Sequence, residues 1–237
     1  MLTDFHSHIL PGIDDGSPDL ETSIAMLERE WQQGIRRVVA TPHFYPRYED
    51  PDRFLRRRNQ AEASLRPCLE GRNDLPELLI GAEVYYFRGI SESEWLPHLR
   101  IRGTDTVLVE MPPAPWTETM LRELADIRER WGYTPIIAHI DRYIGPLRTF
   151  GLPRKLQQLP VLVQANASFF LERRTASMAM KMLKADQIQL LGSDCHNLTD
   201  RIPNLGMARG FIERKLGSKA LDPIRTWEES VISRGTE

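Results

Sequence analysis

In an extended strand the side chains at i and i+2 share a face, so Asp4-Phe5-His6-Ser7-His8 aims two imidazoles, His6 and His8, at one point. That is a metal-chelating geometry, although a lone His-x-His is as often a surface or hydrogen-bonded pair. The rest of the chain decides between the two. Short apolar runs recur, and several end in a residue able to ligate: Val38-Val39-Ala40-Thr41-Pro42-His43, Leu78-Leu79-Ile80-Gly81-Ala82-Glu83, Val107-Leu108-Val109-Glu110, Ile136-Ile137-Ala138-His139 and Leu190-Leu191-Gly192-Ser193-Asp194-Cys195-His196. With Asp15 of the Asp14-Asp15-Gly16 loop, the candidate ligands are His6, His8, Asp15, His43, Glu83, Glu110, His139, Asp194 and His196. Nine ligands exceed what one ion uses and suit two or three divalent ions bridged by carboxylate and water. Such hard and borderline donors admit manganese, iron or zinc. His98, the sixth histidine, ends no apolar run and reads as a surface residue.

The elements that present these groups alternate. Ser17-Pro18 predicts a helix start, with Leu20, Ile24, Leu27 and Trp31 at helical spacing and Gly34 as the stop. Arg37 to His43 reads as a second strand. The stretch Phe44 to Arg72 mixes aromatic and basic residues, which predicts a solvated helix face but leaves a substrate-facing role open because it follows a ligand-bearing strand end. Tyr85-Tyr86-Phe87 is expected to wall the same mouth. Met111 to Pro115 must be a loop, with three prolines in five residues, and Thr117 caps a helix to Trp131 that Gly132 ends. Leu156 to Ala165 covers a sixth strand, ending in the weaker ligand types Gln164-Ala165-Asn166. A helix over about 170–185 leads to the seventh, and 205–216 and 221–233 are helical. This alternation predicts one α/β domain over residues 1–237 with a parallel, barrel-like sheet whose functional groups gather at the carboxyl ends of its strands.

Composition narrows the partners. The net charge of −2 provides no basic excess for nucleic acid, and two cysteines, Cys68 and Cys195, make no disulfide framework. No apolar stretch approaches the ~20 residues of a membrane span, and the Met1-Leu2-Thr3-Asp4 start leaves no room for a signal peptide. A cytoplasmic protein without direct membrane insertion is expected.

These residues resemble the polymerase and histidinol phosphatase (PHP) metallohydrolases, and more closely their bacterial capsule-type, CpsB-like protein-tyrosine phosphatase branch. The resemblance spans the chain: His6-Ser7-His8, the Ile9 to Gly16 loop, Thr41-Pro42-His43, Gly81-Ala82-Glu83, Glu110, Ala138-His139-Ile140-Asp141-Arg142-Tyr143 and Ser193-Asp194-Cys195-His196-Asn197. It implies the PHP fold, a distorted (β/α)7 TIM-like barrel. It also implies a trinuclear site: His6, His8, Glu83 and Asp194 on one ion, Glu83, Glu110 and His139 on a second, and Asp15, His43 and His196 on a third, with Asp14 the neighbour that could replace Asp15. Arg142 and Arg201 are the implied phosphate contacts and manganese the implied metal. The implied substrate is a phosphotyrosine protein, a bacterial tyrosine kinase of capsule or exopolysaccharide synthesis.

The chemistry is consistent with that outline. Three divalent ions outweigh four carboxylates, leaving a positive pocket for a phosphoester dianion, and a metal-bound hydroxide serves as nucleophile. Two arginines add planar charge-assisted donors. The phenolate leaving group, with a conjugate acid of pKa near ~10, needs little proton assistance, for which Asp141 or a metal-bound water is the candidate.

Three rival readings remain. A small phosphoester such as histidinol phosphate suits the same ions, and the pocket mouth near Tyr45, Arg47 and Tyr48 would discriminate. Cys195 and Arg201 have the Cys-x5-Arg spacing of thiolate phosphatases, but the intervening residues include no glycine and do include Asp200, which disfavours a phosphate-cradling loop. A metal-stabilised partner protein without turnover is the third, against which the intact ligand set argues.

Overall fold

The computed structural model describes residues 2–144 and 151–234. The apolar runs become short strands covered on both faces, the setting in which parallel sheets form. They are β1 (Leu2–Ser7), β2 (Ile35–Ala40), β3 (His43–Phe44), β4 (Glu77–Ile80), β5 (Glu83–Tyr85), β6 (Thr106–Glu110), β7 (Thr134–Ile137), β8 (Leu162–Asn166) and β9 (Leu190–Gly192). The helices are α1 (Leu20–Gln32), α2 (Pro51–Leu69), α3 (Leu96–Leu99), α4 (Glu118–Trp131), α5 (Leu152–Leu156), α6 (Ala167–Leu171), α7 (Ala176–Lys184), α8 (Leu205–Leu216) and α9 (Asp222–Ser233). Every strand pair is parallel, in the orders β1-β2-β4 and β3-β5-β6-β7-β8-β9.

Two breaks divide those sheets. Thr41-Pro42 separates β2 from β3, and Gly81-Ala82 separates β4 from β5, so the same chain direction continues on the other side of each break. The breaks are pinned by Thr41 N–H to Ser7 O at 2.8 Å, Gly81 N–H to Ala40 O at 2.8 Å and Glu83 N–H to Pro42 O at 3.0 Å. At the far edge, Ser7 bridges Cys195, with Asp194 N–H donating to His6 O at 2.8 Å and His8 N–H to Cys195 O at 2.9 Å. The sheet is curled. One buried cluster takes Phe5, Val39, Leu108, Ile136, Leu162 and Leu190 from six different strands, which side chains of a flat sheet could not bring together, and Val231 of α9 packs with it. A larger cluster lies between the sheet and the surrounding helices.

Four element expectations are corrected. α1 begins at Leu20 with Asp19 as its cap, Asp19 Oδ1 accepting from Thr22 N–H at 2.8 Å, whereas Ser17 Oγ bonds Ser23 Oγ at 2.8 Å. The second strand is interrupted because Pro42 offers no N–H to a ladder. The sixth strand is confined to Leu162–Asn166, with 152–156 helical, and the helix expected over 170–185 divides into α6 and α7. Thr117 and Gly132 cap α4 as expected, Gly132 at φ 72°. Among the described residues no helix is long and apolar enough to cross a membrane.

Candidate metal centre

The carboxyl ends of the strands converge. His6 and His8 come from β1 and the loop after it, His43 starts β3, Glu83 starts β5, Glu110 ends β6, His139 follows β7, and Asp194 and His196 follow β9. β8 contributes Gln164 and Asn166 instead. Apart from Asp15, 62% exposed, these side chains are buried or nearly so.

Three groupings emerge. His6 Nε2 and His8 Nε2 stand 3.1 Å apart, with Glu83 Oε2 at 3.2 and 3.4 Å and Asp194 Oδ1 at 3.6 and 3.5 Å respectively. His139 Nε2 lies 2.7 Å from Glu83 Oε1 and 3.7 Å from Glu110 Oε1. Asp15 Oδ1 lies 3.5 Å from both His43 Nε2 and His196 Nε2. The nine residues singled out in the sequence thus lie together, and His43 Nδ1 also reaches Glu83 Oε2, at 2.8 Å, so Glu83 touches all three groupings.

The imidazoles are oriented from behind. His8 Nδ1 meets Asp14 Oδ2 at 2.8 Å, His196 Nδ1 meets Asp194 O at 2.9 Å, and His6 Nδ1 meets Gln164 Oε1 at 3.3 Å. Carboxylate, carbonyl and amide oxygens only accept, so each Nδ1 carries the proton and each Nε2 is turned toward the cluster. This is the arrangement in which histidines ligate metal. Asp14 therefore does not compete with Asp15: its Oδ2 also accepts His43 N–H at 3.0 Å and its Oδ1 accepts Gly16 N–H at 3.0 Å.

Electrostatics reinforces that arrangement. Burial opposes ionisation of Glu83, but His6, His139 and His43 override it and hold its carboxyl well below the usual range. Asp194 is held low in the same way, chiefly by His6 and His8. Burial and the nearby His8 pull His196 down to about 4, keeping it neutral. Glu110 is pushed up by burial and by Glu83.

These residues fit divalent ions. His196 Nε2, turned into the cluster, is buried without a hydrogen-bond partner. Two nitrogens each ~2.1 Å from one ion would stand roughly 3.0–3.4 Å apart, which brackets the His6–His8 separation. The backbone is shaped to the same end, since His139 and Asp194 have φ of 34° and 53°, rare for residues with a Cβ.

Arg142 and Arg201 both rest on Asp194, at 2.7 Å to Oδ2 and 2.8 Å to Oδ1, on the exposed side of the cluster. Asp141 Oδ1 accepts Asn166 N–H at 3.1 Å, and burial pushes its carboxyl up. Cys195 is fully buried beside Asp4 and Glu30, and burial with those two carboxyls raises its thiol well above the ordinary value. That environment disfavours a thiolate nucleophile.

Gln164, Asn166 and Asp4 contribute without having been singled out as functional in the sequence, whereas Tyr45 was expected only at the pocket mouth. Gln164 Oε1 also accepts His139 N–H at 2.7 Å, and Asn166 Nδ2 donates to Asp194 Oδ2 at 2.9 Å. Their signal was the polar end of an otherwise apolar strand. Asp4 accepts His6 N–H at 3.0 Å and Ser193 N–H at 2.9 Å, tying β1 to the β9 turn. Tyr45 OH lies 3.2 Å from His43 Nδ1 and 3.3 Å from Glu110 Oε2.

Comparison with known proteins gives a consistent picture. The family model described as capsular polysaccharide synthesis, CpsB/CapC, matches residues 2–232. Tyrosine-protein phosphatase CpsB of Streptococcus pneumoniae is 29% identical over 230 residues, 92% of each chain. Its Streptococcus agalactiae counterpart is 26% identical over 233 residues, 94% of each chain. Tyrosine-protein phosphatase YwqE of Bacillus subtilis is 27% identical over 228 residues, 92% of this chain and 86% of YwqE. A chain from the crystal structures of YwqE from Bacillus subtilis and CpsB from Streptococcus pneumoniae, described as unique metal-dependent tyrosine phosphatases, superposes with a TM-score of 0.83. It is 23% identical, with 98% of this chain and 95% of that one covered, and establishes likeness of fold.

Proposed function

The chain belongs to the CpsB/CapC capsular polysaccharide synthesis family, and from that membership we propose that it is a metal-dependent protein-tyrosine phosphatase. The observation that carries the reading is the convergence of His6, His8, His43, His139 and His196 with Asp15, Glu83, Glu110 and Asp194, three of the imidazoles locked through Nδ1. The similar phosphatases CpsB and YwqE supply the reaction class.

In this reading the three groupings hold two or three divalent ions, manganese first among the candidates, with iron or zinc compatible with the same donors. When bound, such ions polarise the phosphoryl group and lower the pKa of a coordinated water towards ~7. Everything else falls to side chains. Arg142 and Arg201, 40% and 37% exposed, face the substrate side and grip phosphoryl oxygens with planar N–H pairs. Asp14, Gln164 and the Asp194 carbonyl hold the imidazoles in position. Asp141, kept more easily protonated by burial, is the candidate donor to the leaving phenolate.

The finer reading of the architecture is a single domain in which β2 with β3 and β4 with β5 each count as one strand of a distorted (β/α)7, TIM-like barrel, supported by the Ser7–Cys195 bridge. The proposed partner is a phosphotyrosine protein, a bacterial tyrosine kinase of polysaccharide synthesis, and the proposed location is the cytoplasm.

The test compares a phosphotyrosine peptide with histidinol phosphate, each with chelator, with chelator followed by manganese, and after thiol alkylation. Peptide turnover stopped by chelator, restored by manganese and spared by alkylation is the expected result. Metal-dependent turnover of histidinol phosphate alone would replace the substrate class, and loss on alkylation alone would restore Cys195 as nucleophile.

A further inference from the structure

Beside the metal cluster lies an aromatic groove of about 470 Å³, lined by Tyr45, Pro46, Arg47, Tyr48, Tyr85, Tyr86 and Phe87. It is continuous with the site, because Tyr45 belongs to both. The ring of Tyr45 packs 5.4 Å from Tyr85 and 6.5 Å from Tyr48, while its hydroxyl touches His43 and Glu110. Tyr86 N–H donates to Glu110 O at 2.8 Å, so the opposite wall hangs from the same ligand. That wall is firm: the Tyr86 hydroxyl is held by Glu123, whose other oxygen accepts Gly89 N–H at 2.9 Å.

The groove differs from a pocket sized for a free metabolite in two ways. Its outer lip is Tyr48, 78% exposed and the most exposed large apolar side chain among the described residues. Its rim carries two cations. Arg47 stacks over Tyr48 at 5.8 Å, and Arg88 follows Phe87. Both arginines are exposed, and among the described residues neither makes an ion pair. The acid nearest in sequence to Arg47, Glu49, is already held by Arg57 at 2.7 Å.

We propose that this groove receives the chain flanking a phosphotyrosine, its apolar atoms on the tyrosine faces and an acidic side chain on Arg47 or Arg88. The inference rests on the phosphatase reading above and deepens it, naming the sequence class that the same site selects. Rings present wide, rigid contact area to a peptide, and exposed unpaired cations at a rim select by charge. A phosphoryl group on the cluster leaves its phenyl ring passing Tyr45, which puts the next residues of the peptide against the groove.

The experiment uses the full chain, manganese-loaded, and three phosphotyrosine probes: a peptide with glutamates beside the phosphotyrosine, the same peptide with lysines there, and the free amino acid. Dissociation constants are read with non-hydrolysable phosphonate versions of each, beside kcat/KM for the phosphates. Binding of the glutamate peptide about fivefold tighter than the lysine peptide, and tighter than the free amino acid, is expected. Arg47→Glu combined with Arg88→Glu should erase or reverse that preference, and Tyr48→Ala should weaken both peptides relative to the free amino acid. Equal binding of all three probes, or a preference indifferent to the double charge reversal, overturns the groove assignment. Failure of the phosphatase reading looks different: no manganese-dependent phosphate release from any probe, whatever the pattern of dissociation constants.

Discussion

Asp14 and Asp15 are adjacent carboxylates with opposite duties. Asp14 is nearly buried and spends both oxygens on His8, His43 N–H and Gly16 N–H, whereas Asp15 is exposed and faces His43 and His196. Asp14→Ala should therefore free the His8 ring to turn and weaken metal affinity roughly 10–100-fold, as loss of such supporting contacts does, with a smaller loss for Asp14→Asn. Competition against a chromophoric chelator reads both, and unchanged affinity in Asp14→Ala would remove it from the site's support. Cys195 gives the contrasting case. Cys195→Ala should keep manganese-dependent turnover within about twofold of wild type, since the thiol is buried and held protonated; abolished turnover in a folded variant would contradict the proposed chemistry. Arg201→Ala should raise KM and lower kcat/KM, and an unchanged kcat/KM would remove Arg201 from substrate binding.

Between elements, close approach replaces side-chain chemistry. A Cβ on Gly192 would stand 2.6 Å from His6 Cβ and 2.8 Å from Gln164 Nε2, and one on Gly16 would meet His8 O at 2.2 Å. Glycine lets β9 and the first loop press against the two histidines. Gly192→Ala should push His6 out of line, cost about 1–3 kcal/mol of stability and reduce metal content, checked by thermal melting and elemental analysis of the purified protein. An unaltered melt with full metal content would show that the strand yields without consequence. The same scale explains what the sequence could and could not disclose. The candidate ligands at most strand ends were legible because a strand's period of two and its apolar run are local signals, visible for His6 and His8 or for Val107 to Glu110. The breaks at Thr41-Pro42 and Gly81-Ala82 were not, because they depend on which neighbouring strand supplies the next hydrogen bond. Gln164 was noticed only as a weak ligand type, since its work is to receive the His6 ring and the His139 amide from other strands. The cap of α1 was misassigned because Ser17 and Asp19 both have the chemistry, and tertiary contact with Ser23 chose between them.

For the whole molecule, acid–base balance extends beyond the metal cluster. Glu228 of α9 is buried, accepts Thr3 N–H at 3.2 Å and is pushed up to about 8 by burial. A carboxyl whose pKa is raised on folding favours the native state while protonated, so its contribution is whole below the unfolded value near ~4.3 and is lost as pH rises towards 8. Glu228→Gln should keep an acceptor for Thr3 and remove that loss, so the variant should gain on wild type by on the order of 2 kcal/mol between pH 6 and pH 9 in urea unfolding. Parallel curves across that range would contradict the raised pKa.

The hydrogen bond from Ser193 to Asp4 joins positions 189 residues apart. A chain synthesised at roughly 5–20 residues per second exposes its first two histidines some 10–40 s before Asp194 exists to meet them. On the proposed ligand set, the nascent protein would carry an incomplete chelator through most of its synthesis, and the set would be complete only after the last strand. In the proposed centre, metal capture would therefore come late: a chain interrupted before residue 194 has the opening motif intact and yet lacks Asp194 and His196.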